Sequence, residues 1–248
     1  MQKKFKNYID CAVVFCGGRG SRLGVIGKKK NKSLLLVKKK PIIYYIVNNL
    51  IKINTKKIIF PLGYRGKEIR SYISKEFKKN ISQFNFINTG IDSELSIRIN
   101  KIRKFLPFKG SVLLTNGDTI VDFDLKKFLK SHLKSDKNIS LATFNTKVDL
   151  GLIQINNKKP KMFKKSIFIS DFNLNKNKFE AYSGLIFLKS TFLKNFIFNN
   201  KQDFETDMFN KCIKNNNVNL FKIDKGICFP IDNIKNLLYA NKYIRFKN

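Results

Sequence analysis

The sequence predicts an α/β domain built on a mostly parallel sheet wrapped by helices. Three observations carry that prediction. Strand-like and helix-like segments alternate along most of the chain, as a parallel sheet with crossover helices requires. The opening uncharged run, Cys11 to Cys16, empties into Gly17-Gly18-Arg19-Gly20, a junction suited to the ligand edge of such a sheet. At 248 residues and 43% hydrophobic, the chain can bury a full core, and no internal repeat or clean linker divides it. We expect one domain over residues 1–248, with halves at about 9–145 and about 146–248.

The elements follow in order. After the first strand and its glycine turn, Pro41 suits a helical first turn, and Ile42, Ile46 and Leu50 recur at four-residue spacing. Ile58-Ile59-Phe60 reads as strand two, ending at Gly63-Tyr64-Arg65-Gly66. Ile69, Tyr72, Ile73 and Phe77 trace the next helix. Phe84 and Phe86 alternate in strand three, and the turn Thr89-Gly90-Ile91-Asp92-Ser93 leads to a helix carrying Leu95, Ile99, Ile102 and Leu106. Strand four, Ser111 to Thr115, runs into Asn116-Gly117-Asp118. Leu125, Phe128, Leu129 and Leu133 give the following helix its buried face, and His132, the only histidine, is expected at the surface or helix end and not as a ligand. Ile139 to Phe144 is strand five. From Gly151 short β stretches (Leu152–Ile155, Ser166–Ile169, Tyr182–Leu188) sit among Asn/Lys turns, with a loop at Asn173 to Lys178. Helical spacing returns at Phe204, Met208 and Cys212, and again from Leu237 to Ile244.

Composition narrows the partners. The net charge of +33 comes from lysines that outnumber arginines about six to one and are scattered over the whole chain. No recognition motif or basic stripe with interleaved aromatics accompanies them, so no specific nucleic-acid partner is expected. The charge should instead steer polyanionic substrates inward. No apolar run approaches the ~20 residues of a membrane span, and the basic amino terminus precedes too short an uncharged run for a signal-peptide core. Cys11, Cys16, Cys212 and Cys228 form no C-x-x-C pair, which reads as reduced thiols in a cytoplasmic protein.

The glycine turn suggests a ligand. Without side chains in the way, its backbone N–H groups can close on phosphate oxygens, and Arg19 and Arg22 add forked, permanent charge. A nucleoside triphosphate is the expected occupant, although the stretch alone also fits a plain turn. No Gly-Lys-Ser/Thr closes the loop as in a Walker A motif, and Leu23 stands where a dinucleotide fingerprint needs its third glycine.

Lys32-Ser-Leu-Leu-Leu-Val37 and Pro41-Ile-Ile-Tyr-Tyr-Ile46 extend the pattern. With Gly17, Gly18, Gly20, Ser21, Arg22, Leu23, Lys32, Lys40 and Pro41 in register, the chain resembles the sugar-nucleotidyltransferase family. That family's signature is Gly-Gly-x-Gly-Thr/Ser-Arg-Leu, then Pro-Lys, then a Lys-Pro opening a helix. Asn31 replaces the proline, at a position that shapes the loop. The resemblance spans nearly the whole chain, is most specific over Cys11–Pro41 and Leu114–Asp124, and loosens after residue 150. It implies a three-layer Rossmann-like nucleotide-diphospho-sugar transferase fold that joins an NTP to a sugar 1-phosphate. Catalysis would fall to Arg22, Lys32 and Asp118. The nucleotide would lie against Cys16, Gly17, Gly18, Arg19, Gly20, Ser21, Arg22, Lys32, Gly63, Thr89, Ser93, Asn116 and Gly117. Leu114-Thr-Asn-Gly-Asp118 matches the family's metal segment, so Asp118 is expected to hold Mg²⁺. Phe229-Pro-Ile-Asp232 before a helix resembles its closing element, making Asp232 the second ligand; as residues alone, Asp232 equally suits a helix cap.

Sugar-phosphate contacts would come from Gly151, Lys165, Ser183 and Gly184. Here Lys164 replaces a family glutamate, and Tyr182-Ser183-Gly184 replaces Asn-Gly-Gly. Gly63-Tyr-Arg-Gly-Lys-Glu-Ile69 and Thr89-Gly-x-Asp-Ser93…Arg98 are most similar to the glucose-1-phosphate cytidylyltransferase branch, implying CTP. Ser96 and Ile97 stand where that branch has two glycines. The alternatives are a mannose- or heptose-1-phosphate guanylyltransferase and a relative that binds without turnover. Relatives commonly assemble into oligomers, but no segment here advertises an interface.

Overall fold

A computed structural model describes residues 8–156, 159–168, 179–198 and 203–245, with residues 147–156 and 159–168 described by their backbone. Cys11–Phe15 (β1), Ile58–Leu62 (β2), Phe84–Asn88 (β3), Ser111–Asn116 (β4), Ile139–Phe144 (β5), Ala181–Lys189 (β6) and Val218–Lys222 (β7) form one seven-stranded sheet. Their order in space is β7-β5-β6-β4-β1-β2-β3. β1 runs parallel to β2 and β4, β2 to β3, and β7 to β5; β6 alone is antiparallel, between β4 and β5. The expected mostly parallel mixed sheet is therefore present.

Side-chain alternation along β1 explains the layers on either side. Ala12 and Val14 face one hydrophobic core and Cys11 and Val13 the other, because successive strand residues point to opposite faces. Helices of eight residues or more cover these faces among the described residues: Ile42–Lys52 (α1), Gly66–Glu76 (α2), Leu95–Ile102 (α3), Leu125–Lys134 (α4), Phe204–Lys214 (α5) and Ile234–Tyr243 (α6). α1, α2, α4 and α6 bury residues such as Ile46, Ile69, Phe128 and Ala240 in the first core, whereas α3 and α5 supply Ile99 and Met208 to the second. Among the described residues no helix is long and apolar enough to cross a membrane.

Of the small two-stranded pieces outside the large sheet, two carry residues expected at the site or lead into them. Thr119–Asp122 pairs antiparallel with Ile227–Pro230, and Lys147–Asn156 pairs with Lys159–Phe168. The first pairing is not apparent from the sequence, because its strands are four residues each and lie about a hundred positions apart. β7 also escapes sequence pattern: Val-Asn-Leu-Phe-Lys is half-exposed throughout, as befits the edge of a sheet. The expected helix through Leu106 stops at Ile102 and continues as a tight turn over Arg103–Phe105, although Leu106 is still buried. Ile169 and the loop expected at Asn173 to Lys178 lie outside the described residues.

His132 corrects one expectation. It does sit in the last turn of α4, but it is 3% exposed rather than at the surface. Its Nδ1 lies 2.9 Å from the Ser140 hydroxyl and its ring stacks on Phe187, satisfying both the polar and the apolar part of the imidazole. Burial, aided by nearby Lys189, lowers its pKa from 6.5 to about 4. The folded protein therefore resists protonation that the unfolded chain accepts. Stability should be full above pH 6.5 and fall toward pH 4, and His132→Gln should remove part of that slope in unfolding midpoints measured across the range. An identical slope in the variant would assign the acid sensitivity elsewhere.

Candidate active site

The carboxyl ends of β1, β2 and β4 lie side by side, so the loops leaving them share one edge of the sheet. Backbone hydrogen bonds tie these loops together: Tyr64 N–H donates to the Gly17 carbonyl at 3.0 Å, and Gly117 N–H to the Phe15 carbonyl at 2.7 Å. Between them opens a cleft of about 280 Å³ lined by Cys16, Gly18, Gly20, Ser21, Arg22, Lys32, Asp118 and Asp232, with Phe15, Asn31 and Ser33 completing the wall. Eight of the residues singled out in the sequence thus meet in one concavity.

The glycines divide into two kinds. Gly18 faces the open cleft, and a Cβ there would meet nothing within 4 Å. Gly17 is buried, and its Cβ would come within 2.2 Å of an Arg98 guanidinium nitrogen and 2.8 Å of the Gly63 nitrogen. Gly63 is constrained in the same way, 2.6 Å from Arg98, and Gly117 would press on Ser33 and Cys16. These three lie beneath the cleft and let the loops approach. Gly20 adopts φ +64°, a left-handed conformation glycine reaches without strain, and it starts the tight turn Ser21–Leu23.

Arg98 is the hidden anchor of this floor. It is 4% exposed and donates to the carbonyls of Ser93 (2.9 Å), Gly17 (3.2 Å) and Ile91 (3.4 Å) and to the Thr89 hydroxyl (2.8 Å). Burial lowers its pKa, but a guanidinium keeps its charge. Thr89 is fully buried, with its hydroxyl spent on Arg98 and the Leu62 carbonyl; Ser93 donates to the Thr89 carbonyl. These two therefore shape the loop under the cleft and do not line it. The sequence pattern included Arg98 but gave no sign that it would turn inward. Arg19 turns the other way: its guanidinium makes a two-pronged pair with Asp92 at 2.5 and 2.9 Å, across the cleft rim.

The charged centre is compact. Lys32 Nζ lies 2.6 Å from Asp118 Oδ2 and 2.9 Å from Asp232 Oδ1, and Arg22 stands 3.9 Å from the same Asp232 oxygen. Asp118 follows β4, and Asp232 arrives through the ribbon: Pro230 registers with Thr119, and Ile231 N–H donates to the Asp118 carbonyl at 3.0 Å. The helix cap beside it is made by Asn233, whose side chain accepts from Asn236 N–H, which frees Asp232 from that duty. Two carboxylates beside a phosphate-sized cleft suit Mg²⁺, which takes one or two carboxylates and fills its octahedron from phosphate and water. Among the described residues no group of three or more acidic, histidine or cysteine side chains forms an all-protein cage. Burial pushes the Cys16 thiol up to about 12.

Of the residues expected to meet the sugar phosphate, Ser183 and Gly184 do not line this cleft. Gly184, at φ +78°, sits against the Asn116 side chain, and Ser183 is buried beside it. Gly151 and Lys165 are paired opposite each other in the hairpin. Tyr182 donates to Glu205 at 3.2 Å, and burial raises the Glu205 carboxyl; Glu205 does not stand out in sequence, because α5 brings it to Tyr182 from a distant segment.

A basic, glycine-floored cleft with paired carboxylates at a parallel-sheet edge defines a phosphate-handling α/β protein. Residues 11–227 match the Nucleotidyl transferase family, and the chain belongs to it. Glucose-1-phosphate cytidylyltransferase of Salmonella typhimurium is 25% identical over 154 residues, which cover 54% of this chain and 60% of that relative. D-glycero-alpha-D-manno-heptose 1-phosphate guanylyltransferase of Aneurinibacillus thermoaerophilus is 26% identical over 168 residues, covering 66% of this chain and 71% of that one. The match thus spans about three fifths of the Salmonella relative's length. The crystal structure of HddC from Yersinia pseudotuberculosis superposes with a TM-score of 0.68 at 20% identity, covering 94% of this chain and 99% of that one, so the Rossmann-like fold is shared throughout.

The two kinds of glycine predict opposite outcomes. Gly17→Ala should cost roughly 1–3 kcal/mol of stability by overpacking against Arg98, whereas Gly18→Ala should leave the unfolding midpoint in place. Chemical denaturation of both variants checks this; equal stability would show that Arg98 yields easily.

Proposed function

We propose that the protein transfers a nucleotidyl group from an NTP, CTP foremost, to a sugar 1-phosphate. A phosphate oxygen of the sugar attacks the α-phosphorus; the new P–O bond forms as the α–β bridge breaks, and pyrophosphate leaves with the bridging oxygen. The observation that carries the reading is the convergence of Asp118, Asp232 and Lys32 at the mouth of the glycine loop. Family membership supports it, as does the similarity to sugar-phosphate nucleotidyltransferases.

Each residue has a physical task. The Gly18–Ser21 backbone cradles the β- and γ-phosphates, and Arg22, exposed on the same loop, neutralises the departing pyrophosphate. Lys32 is held close to the reacting centre by two counter-charges and can turn to the α-phosphate when triphosphate enters. Mg²⁺ held by Asp118 and Asp232 would draw charge from the phosphate oxygens. Gly151, Lys165, Ser183 and Gly184, with Asn116, provide the sugar-phosphate side. The reaction belongs to the cytoplasm and would feed surface-polysaccharide synthesis.

A guanylyl donor with a heptose or mannose phosphate is the second reading. The similarity to heptose-phosphate guanylyltransferases favours it, and Ser96 and the 44%-exposed Ile97, in place of the cytidylyl branch's glycine pair, weigh against CTP.

Pyrophosphate release measured with CTP, GTP, UTP, dTTP and ATP against a panel of sugar 1-phosphates separates the readings. CTP with glucose 1-phosphate is the expected best pair; GTP with a heptose phosphate would favour the second. No release with any pair would leave a binding protein without turnover. In the active pair, Asp118→Ala should lower turnover by about 100-fold or more, and Arg22→Lys should slow it by replacing a fork with a point charge. Near-normal rates in Asp118→Ala would remove the aspartate from the reaction.

A further inference from the structure

Asn31 does more than fill the place of a proline. It is 1% exposed, and its carboxamide makes three hydrogen bonds to three different loops. Nδ2 donates to the Cys16 carbonyl at 2.9 Å and to the Tyr64 carbonyl at 3.0 Å, while Oδ1 accepts from Ser33 N–H at 2.9 Å. Two carbonyls on one side and an amide on the other fix which way the group points. The acceptors belong to the start of the glycine loop and the loop after β2; the donor lies in the tight turn Lys32–Leu34 that Asn31 caps.

The next residue is Lys32, whose ammonium stands between Asp118 and Asp232. The turn that carries Lys32 is therefore pinned, through one side chain, to the two loops that frame the cleft. The backbone of Asn31 does not need this side chain. Its φ of −62° and ψ of 136° are values proline adopts, Lys30 before it is extended, and its carbonyl still accepts from Leu34 N–H. Asn31→Pro accordingly keeps the chain path while removing the carboxamide and the backbone N–H. Asn31→Ser is a second route: its hydroxyl can still cap the turn but is too short to span both carbonyls.

We infer that Asn31 is a positioning residue that acts through Lys32, setting the ammonium's place against the cleft floor. The inference rests on the proposed nucleotidyl transfer. The alternative is a cap that serves only the fold.

A double-mutant cycle separates the two. Pyrophosphate release would be measured for the unsubstituted chain, Asn31→Pro, Asn31→Ser, Lys32→Gln and both double variants, with unfolding midpoints as controls. With Lys32 present, both Asn31 variants should lower kcat by about tenfold or more and also weaken NTP binding, by a smaller factor of about threefold. In the Lys32→Gln background the same substitutions should change the rate by less than about twofold, since the lever they move is gone. Where Lys32→Gln turns over too slowly to measure, the cycle is read on CTP affinity by calorimetry, with the same non-additivity expected. Equal losses in both backgrounds, or no loss with Lys32 present, would overturn the inference while leaving the nucleotidyltransferase reading intact. An unsubstituted chain that releases no pyrophosphate but binds CTP with a non-additive cycle would overturn that reading and keep Asn31's role. A chain that neither turns over nor binds CTP would overturn both.

Discussion

The site depends on one short pairing, Thr119–Asp122 with Ile227–Pro230. It delivers Asp232 to Asp118 from more than a hundred residues away, and the Ile231 N–H to Asp118 carbonyl bond fixes the approach at the place where the chemistry is needed. Two carboxylates brought together would repel. The ammonium of Lys32 between them offsets that repulsion and, being only 13% exposed, does so with less screening than a surface pair would have. Lys32 and, more distantly, Arg22 balance the two carboxylates, and both cations can turn to a phosphate.

Beneath the pair, the architecture serves to hold loops. A parallel sheet places the ends of β1, β2 and β4 together; Asn31 ties the loops after β1 and β2, Arg98 ties the loop after β1 to the one after β3, and the Gly117 N–H to Phe15 carbonyl bond holds the loop after β4. Arg98 and Asn31 use the same device, a planar group with several donors that satisfies carbonyls left over by irregular backbone. Glycines at 17, 63 and 117 let the welded loops come close. The glycine-rich loop thus has an outer surface, Gly18 to Ser21, free for a ligand, and an inner surface committed to packing.

Much of this was legible in the sequence. The uncharged run before Gly17 forms β1, the apolar spacings of α1, α2, α4 and α5 fall on buried helix faces, and Asp118 lies at the sheet edge where the sequence put it, because burial on both faces and helical periodicity leave strong marks on residue type. Asp232 was reachable through resemblance, not through spacing, since nothing local announces the ribbon that carries it. Thr89 and Ser93 were expected against the nucleotide and lie under the floor, because a threonine spent on a buried guanidinium looks the same in sequence as one offered to a ligand. His132 was expected at a helix end and is there, but turned inward, as Ser140 and Phe187 on neighbouring strands give it partners that its own helix does not disclose. The half-exposed edge strand β7 carried too little pattern to be seen.

The central claim is that Asp118 and Asp232 act as one unit at the phosphate cleft. A crystal structure with a non-hydrolysable CTP analogue and Mg²⁺ tests it most directly. Phosphates along Gly18–Ser21, with a carboxylate oxygen from each aspartate about 2.1 Å from one cation, are the predicted result. A nucleotide lodged away from that loop, or Asp232 turned from the metal, would contradict it.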